Sequence, residues 1–361
     1  MELCFFLFFI DWQSHFIYTK NMKTVKTIYD IAKEAGVSAS TVSRIVNNKP
    51  GINSTTREKV QKLLQKYNYI PNEAARGLVK QSSKIIGILI EDIRIAHHTE
   101  SVYIIEQEMT KLGYTCITLS TGSKKPEYIK LLEQRRIEGA VLVGSMFGTN
   151  EVKKSIQKHL SNIPIVMLNG ELNLPNVYSI LVDEKQGIKE ITKFFIKQGR
   201  KNLAFISDGE TPSNKNKIEG FIEAMEEEGI EKENILIYKA YKKESYHGNP
   251  EQIITQGQEI TKKILKKNPD TNGYIYSIDL LAIGGLTELK NHNISIPKKA
   301  ALIGVDNSLY GKICTPKLST LDNKLTEISM QASKILFDII EKKETSHKII
   351  LHTEIIHRET T

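Results

Sequence analysis

The sequence predicts an all-α helix-turn-helix headpiece followed by an α/β domain of two doubly wound parallel-sheet lobes. Three observations carry that expectation: positive charge gathered near the N-terminus, two short capped helices joined by a glycine turn, and a long alternation of apolar runs with amphipathic segments.

Length and charge set the frame. At 361 residues the chain is long enough for roughly two or three core-forming units. The formal net charge is +8, and Met22 to Lys84 alone holds twelve Lys/Arg against four Asp/Glu, so the remainder is balanced. Positive charge confined to one short segment suits a phosphate-binding module, because neutralising phosphates releases counterions and drives association. A solvated basic face has the same composition, so the local pattern has to decide. Cys4, Cys116 and Cys314 are isolated and lack C-x-x-C spacing, which points to neither a disulfide framework nor a metal cluster and fits a reducing cytoplasm. The apolar run Phe5 to Ile10 is too short to span a membrane. It also lacks the basic flank and small-residue cleavage site of a signal peptide. Residues 1–21 are expected to be a mis-assigned start or a disordered tail.

The headpiece is expected over residues 22–71. In TIYDIAKEAGVSASTVSRIVNN, Thr27 and Asp30 form a capping pair that starts a helix lined by Ile31, Ala32 and Ala35. Gly36 and Val37 break it, and Ser38 caps a second helix carrying Val42, Ile45 and Val46 at helical spacing. Two short helices about a tight glycine turn make a helix-turn-helix. With the apolar stripe turned inward, Ala39, Ser40, Thr41, Ser43, Arg44 and Asn47 remain for the outer surface. Small hydroxylated residues let a helix sink into the major groove and bond phosphates, and an arginine can fork onto a guanine edge. After the loop NNKPGIN, a third helix with Val60, Leu63 and Leu64 completes the core. Pro71 ends it, and Asn72 can cap the brief segment EAARGLVK, too short to be stable alone and suited to forming on DNA.

At this point TIYDIAKEAGVSASTVSRIVNN and YIPNEAARGL together resemble the headpiece and hinge of the lactose/galactose repressor (LacI/GalR) family. The resemblance implies that Thr27, Tyr29, Ser38, Thr41 and Ser43 contact phosphates, that Arg44 and Asn47 act at the groove, and that Ala39 and Ser40 hold specificity positions. It also implies a hinge helix within residues 72–84, with Asn72, Ala75 and Leu78 at the DNA and Leu78 as a wedge that kinks the central base step.

From residue 85 to 361 the runs IIGILI, TCITLS, GAVLVG, IPIVML, YSILV, NLAFIS, ILIYKA, GYIYS and AALIGV alternate with amphipathic segments. That alternation gives parallel sheets covered on both faces, and the strand count exceeds one compact sheet. Two lobes with a cleft at the strand C-termini are expected. The family resemblance implies a periplasmic-binding-protein-like architecture crossed three times. The crossings are expected near residues 184, 316 and 346, with the first lobe over 85–183 and 317–345 and the second over 184–316 and 346–361.

No G-x-G-x-x-G, Walker loop, H-E-x-x-H or G-x-S-x-G is present, so neither an enzyme nor a cofactor is expected. Adjacent His97 and His98 rarely point the same way, which favours a loop role over a metal site. Asp279 and Asp306 follow strands and are expected at the cleft, although a helix-capping role is equally natural; their motifs YSIDLLAIG and IGVDN resemble those whose aspartates bond effector hydroxyls in the family. Asn169, after IPIVML, and Lys217, in KIEGF, carry over likewise, and Ser145, after GAVLVG, joins them. The family commonly has arginine where Lys217 stands, and a lysine cannot fork onto a diol. The loop EDIRIAHHTE also lacks the family's Asn-Pro-Phe. With Arg94, His97, His98 and Lys217 gathered in one pocket, an anionic or phosphorylated ligand is a working expectation beside a neutral sugar.

The resulting expectation is a cytoplasmic, nucleoid-associated transcriptional regulator, acting as a repressor. A homodimer binds a double-stranded, pseudo-palindromic operator, and a small-molecule effector, a sugar or sugar phosphate, controls its DNA affinity. Two alternatives stand beside it: a regulator of the same family controlled by a phosphorylated carrier protein, and a cytoplasmic sugar-binding enzyme with an accessory basic domain.

Overall fold

The computed structural model describes residues 26–69, 82–240 and 249–361. Residues 1–21, and the hinge positions Asn72, Ala75 and Leu78, lie outside the described residues. The chain divides into two units, Met1–Gln81 and Ser82–Thr361.

In the first unit, helices α1 (Ile28–Ala35), α2 (Ala39–Val46) and α3 (Ser54–Lys66) close over Ile31, Ala32, Ala35, Val42, Ile45 and Val60. Local chemistry dictates the boundaries. Thr27 and Asp30 form a reciprocal capping box at the start of α1. At its end Gly36 takes φ 71°, where a side chain would be strained, and Val37 N donates to Ala32 O at 3.0 Å. Ser38 then caps α2, so the turn spans only three residues. Glu34 on α1 accepts from Lys66 Nζ at 3.0 Å and from Tyr67 Oη at 2.7 Å, pinning α1 to the end of α3.

The second unit opens with β1 (Ile85–Ile90), α4 (Ala96–Lys111), β2 (Thr115–Ser120), α5 (Lys125–Gln134), β3 (Gly139–Val143), α6 (Asn150–His159), β4 (Ile165–Leu168) and β5 (Val177–Val182). It continues through α7 (Glu184–Lys197), β6 (Leu203–Ser207), α8 (Pro212–Glu227), β7 (Leu236–Lys239), α9 (Pro250–Lys267), β8 (Gly273–Tyr276), α10 (Asp279–Asn291) and β9 (Ala301–Val305). The last elements are α11 (Leu309–Ile313), β10 (Ser319–Asp322), α12 (Leu325–Ile340), β11 (Lys348–Leu351) and β12 (Glu354–Ile356).

Among the described residues two six-stranded sheets form, ordered β11-β5-β4-β3-β1-β2 and β12-β10-β9-β8-β6-β7. Every pairing is parallel except β10 with β12. Apolar runs such as Ala301–Val305 are buried along their whole length because helices cover both faces of the sheet. Helices of the second lobe approach so closely that a Cβ on Gly284 of α10 would stand 2.0 Å from the Ile254 carbonyl of α9.

The chain passes between lobes at Asp183–Glu184, since β5 lies in the first sheet and Ile188, Ile191 and Phe195 of α7 pack in the second lobe. The other two crossings differ from the sequence expectation. β10 pairs with β9 in the second sheet while Ile328, Ala332 and Leu336 of α12 pack in the first lobe, so the crossing falls at 323–324 rather than near 316. β11 pairs with β5 and β12 with β10, which moves the third crossing from 346 to 352–353. The reason is compositional. β10 reads STLD, a buried strand that satisfies its hydroxyls internally instead of presenting an apolar run: Ser319 Oγ accepts from Arg358 N at 2.8 Å, and Thr320 Oγ1 accepts from Asn307 N at 3.1 Å. β11 and β12 are edge strands of four and three residues whose apolar stretches, Ile349–Leu351 and Ile355–Ile356, are shorter than the four residues at which a run reads as a strand.

Candidate nucleic-acid interface and ligand cleft

On α2, Val42 and Ile45 are buried, Ser40 and Arg44 are exposed, and Ala39, Thr41, Ser43 and Asn47 are half-buried. The first turn carries a hydroxyl cluster: Ser38 Oγ accepts from Thr41 N at 3.2 Å and lies 2.7 Å from Ser40 Oγ and 2.9 Å from Thr41 Oγ1. Unsatisfied N–H groups and the helix dipole make such a terminus attractive to a phosphate. Arg44 Nη2 donates to Pro50 O at 2.7 Å, a solvent-exposed bond that a base edge can displace. Asn47 Nδ2 donates to Ser43 O at 2.7 Å at the other end of the helix. Thr27 is engaged in capping, its hydroxyl donating to Asp30 Oδ2 at 2.8 Å. Those Thr27 bonds hold the Asp30 carboxyl below its usual range. Tyr29 is 73% exposed. Sequence reasoning missed Arg57 on α3, whose Nη1 and Nη2 donate to Asn48 Oδ1 (3.1 Å) and Lys49 O (2.7 Å) and so brace the loop behind α2. Its charge was visible, but its partners depend on the packing of α2 and α3.

The cleft of the second unit opens where the strand order reverses, beside β1 and β3 in one sheet and β6 and β8 in the other. It has an inner chamber of about 100 Å³ and an outer one of about 360 Å³, which share Ile95, His97, Asp208, Ile278, Asp306 and Leu325 as walls. His97, His98, Ser145, Asn169, Lys217 and Asp306 line the inner chamber. Arg94 lies on neither wall. Its Nη2 pairs with Asp92 Oδ2 at 2.5 Å on the exposed loop after β1, because Asp92 is two residues away and reachable without crossing the cleft. Asp279 lines only the outer chamber. Both of its carboxylate oxygens are occupied, Oδ2 by Ser308 N at 2.7 Å and Oδ1 by Thr320 Oγ1 at 2.7 Å.

The inner chamber's charge is the reverse of an anion site. Glu91, Glu184, Asp208 and Asp306 face it beside one lysine. Lys217 Nζ sits 3.1 Å from Glu184 Oε1, both side chains almost wholly buried, and donates to Ser277 O at 3.2 Å. Burial opposes the Lys217 charge, yet Glu184, Asp306 and Asp208 more than offset it and raise the pKa. Burial pushes His98 down to about 3, and His97 also falls, through burial and then the Lys217 charge. The histidines are therefore neutral, and the expected cationic pocket does not form: Arg94 lines neither chamber, Lys217 is paired and the carboxylates predominate.

Burial, then the charge of Asp306, raises Asp279 to about 7, against hydrogen bonds from Thr320 and Ser308. Between the ordinary carboxylate value and about pH 7 the folded protein therefore holds a proton that the unfolded chain has released, so stability is lost as pH rises through that window. Asp279→Asn is expected to flatten the fall in Tm between about pH 4 and pH 7. A melting series with the same slope as the parent would refute the assignment.

Several cleft residues escaped the sequence. Asp208 directly follows β6 and obeys the strand-end rule that selected Asp306. Asn323 follows β10, whose strand was not legible; its Nδ2 donates to Asp306 Oδ1 at 3.1 Å and to Glu184 Oε1 at 3.3 Å. Ser101 and Asn214 lie inside helices, and only the fold brings them to the chamber. His98 Nε2, Ser101 Oγ, Asn169 Oδ1, Asn214 Oδ1 and Asn323 Oδ1 are buried there without a hydrogen-bond partner. Buried polar atoms are normally satisfied, so such a concentration marks a place shaped for a polar guest. Among the described residues no helix is long and apolar enough to cross a membrane.

Residues 27–72 match the family described as bacterial regulatory proteins, lacI family, and residues 192–361 match the periplasmic binding protein-like domain. The chain is 29% identical to the HTH-type transcriptional regulator DegA of Bacillus subtilis, over 94% of this chain and 98% of that protein. It is likewise 29% identical to the ribose operon repressor of Halalkalibacterium halodurans, over 93% of this chain and 97% of that one. In structure it is similar to the lac repressor dimer bound to operator and the anti-inducer ONPF, with a TM-score of 0.80, 19% identity, and coverage of 93% of this chain and 98% of the other.

Proposed function

Since the chain belongs to the lacI family of bacterial regulatory proteins, we propose that it is a repressor that binds a pseudo-palindromic operator as a dimer and is controlled by a neutral sugar in its cleft. The observation that carries the DNA half of this reading is α2, with Val42 and Ile45 buried, Ser38 capping its start, and Ser40 and Arg44 turned to solvent. Such a helix presents phosphate-bonding hydroxyls and one base-reading guanidinium to a major groove. Single headpieces bind weakly, and two copies on symmetric half-sites add their contacts. The roles of Thr27, Tyr29, Ser38, Thr41 and Ser43 are phosphate contacts, with Ala39, Ser40, Arg44 and Asn47 at the bases.

The effector half rests on the unpartnered acceptors and the carboxylate excess of the inner chamber, which favour a ligand rich in hydroxyl donors over a phosphorylated one. A ligand that touches both lobes biases their relative orientation only by its differential affinity for the two states. Enrichment of random duplex DNA on the purified chain, followed by titration at several salt concentrations, tests the reading. The expected result is a symmetric consensus and an affinity falling linearly on a log-log salt plot. Binding without preference for any sequence, with and without sugars, would overturn it.

A further inference from the structure

We propose that His98 is a specificity-determining residue of the inner chamber: a neutral imidazole that reads one donor hydroxyl of the ligand through Nε2. The inference rests on the reading of the cleft as a site for a neutral, hydroxyl-rich effector, and it assigns one recognition contact within it.

His98 is fully buried, in the first turn of α4. Its Nδ1 lies 3.1 Å from the Asp92 carbonyl oxygen. A carbonyl oxygen has no hydrogen to give, so Nδ1 carries the ring proton and Nε2 is left as a lone-pair acceptor. The loop supplying that carbonyl is itself closed, since the Asp92 carboxylate accepts from Arg94 N at 2.9 Å and from Arg94 Nε at 3.0 Å. Arg94, expected from the sequence to touch the ligand, therefore acts one step back, by holding the turn that sets the tautomer.

Nε2 has no partner and lines the chamber. Gly144, at φ 113°, borders Nε2: a Cβ there would lie in van der Waals contact with it, at 3.6 Å, and 2.3 Å from Met146 Sδ. One turn along α4, Ser101 Oγ is equally buried and unpartnered, so the same helix face offers a second contact. A hydroxyl satisfies Nε2 by donating to it. A phosphate dianion brings no proton, and the buried ring, held neutral, offers none to the anion.

The experiment is isothermal titration of the full chain with D-ribose, D-xylose, D-glucose and D-galactose, their monodeoxy analogues, and D-glucose 6-phosphate. The wild type is expected to bind one parent sugar and to bind one of its deoxy analogues at least about tenfold more weakly. In His98→Asn the amide Nδ2 can still donate to the Asp92 carbonyl while nothing replaces Nε2, so the fold is retained and the discrimination falls below about twofold. Should His98→Asn melt early, histidine nitrogen NMR of the wild type gives the same answer: Nε2 must show the unprotonated signature and shift on sugar binding. A histidine that serves packing alone leaves the parent-to-deoxy ratio and the Nε2 signal unmoved, which would overturn the inference while the cleft reading stands. Failure of the wild type to bind any of the sugars would overturn both.

Discussion

Arg44→Ala lowers affinity for the enriched operator by roughly 2–6 kcal/mol, which is about 30-fold to about 20,000-fold, while leaving nonspecific DNA binding nearly unchanged. The range follows from one base-reading guanidinium worth about 1–3 kcal/mol per half-site, counted in each of two headpieces. Arg44 is exposed and its one side-chain hydrogen bond among the described residues, to the Pro50 carbonyl, tethers a loop and not the core, so the headpiece keeps its fold. Because the lost contact carries sequence information, the consensus at one symmetric pair of positions relaxes, whereas loss of a phosphate contact weakens all sequences alike. Gel-shift titration against the consensus and against single-base variants measures both quantities. An unaltered preference at every position would place another side chain at the base edge.

Lys217→Met destabilises the second unit by about 3–5 kcal/mol, the largest folding effect anticipated for a single cleft substitution. The ammonium is buried against Glu184 and sits within the field of Asp306 and Asp208, so its removal strands carboxylates without a counter-charge. The methionine fills the aliphatic volume, which isolates the electrostatic part. Urea denaturation should show the deficit grow as pH rises. Stranded carboxylates have raised folded-state pKa values, so their protonated forms keep the fold at low pH and lose stability as pH climbs. Adding Glu184→Gln should recover part of the loss, because the buried charge is then absent from both partners. A single variant within about 1 kcal/mol of the parent at pH 7 would mean that the pair is far more hydrated than its burial implies.

These two residues illustrate how much of the site was legible. Arg44 was found by periodicity: with Val42 and Ile45 assigned to the core, position 44 had to face outward, and the capping chemistry of Thr27, Asp30, Gly36 and Ser38 is local enough to be read directly. Lys217 was found through a family motif, but its partner was not. Glu184 stands 33 residues earlier, at a crossing between lobes, and no spacing rule connects the two. Arg94 failed in the opposite sense. Its charge suggested the pocket, while a carboxylate two residues away captured it.

What the sequence determined by itself is therefore the short-range part: three helices, the first two with their caps, nine strands declared by apolar runs, and carboxylates or amides at strand ends. Each depends on interactions within a few residues, where propensity, capping and burial agree. Only the tertiary structure decided that β10 is a buried strand built from hydroxyl-bearing residues, that β11 and β12 divide between two sheets, and that His98, Ser101, Asn169, Asn214 and Asn323 converge with unspent acceptors on one chamber. The physical reason is that hydrogen-bond satisfaction and charge pairing are summed over atoms brought together from distant parts of the chain, so their balance exists only once the two lobes have folded.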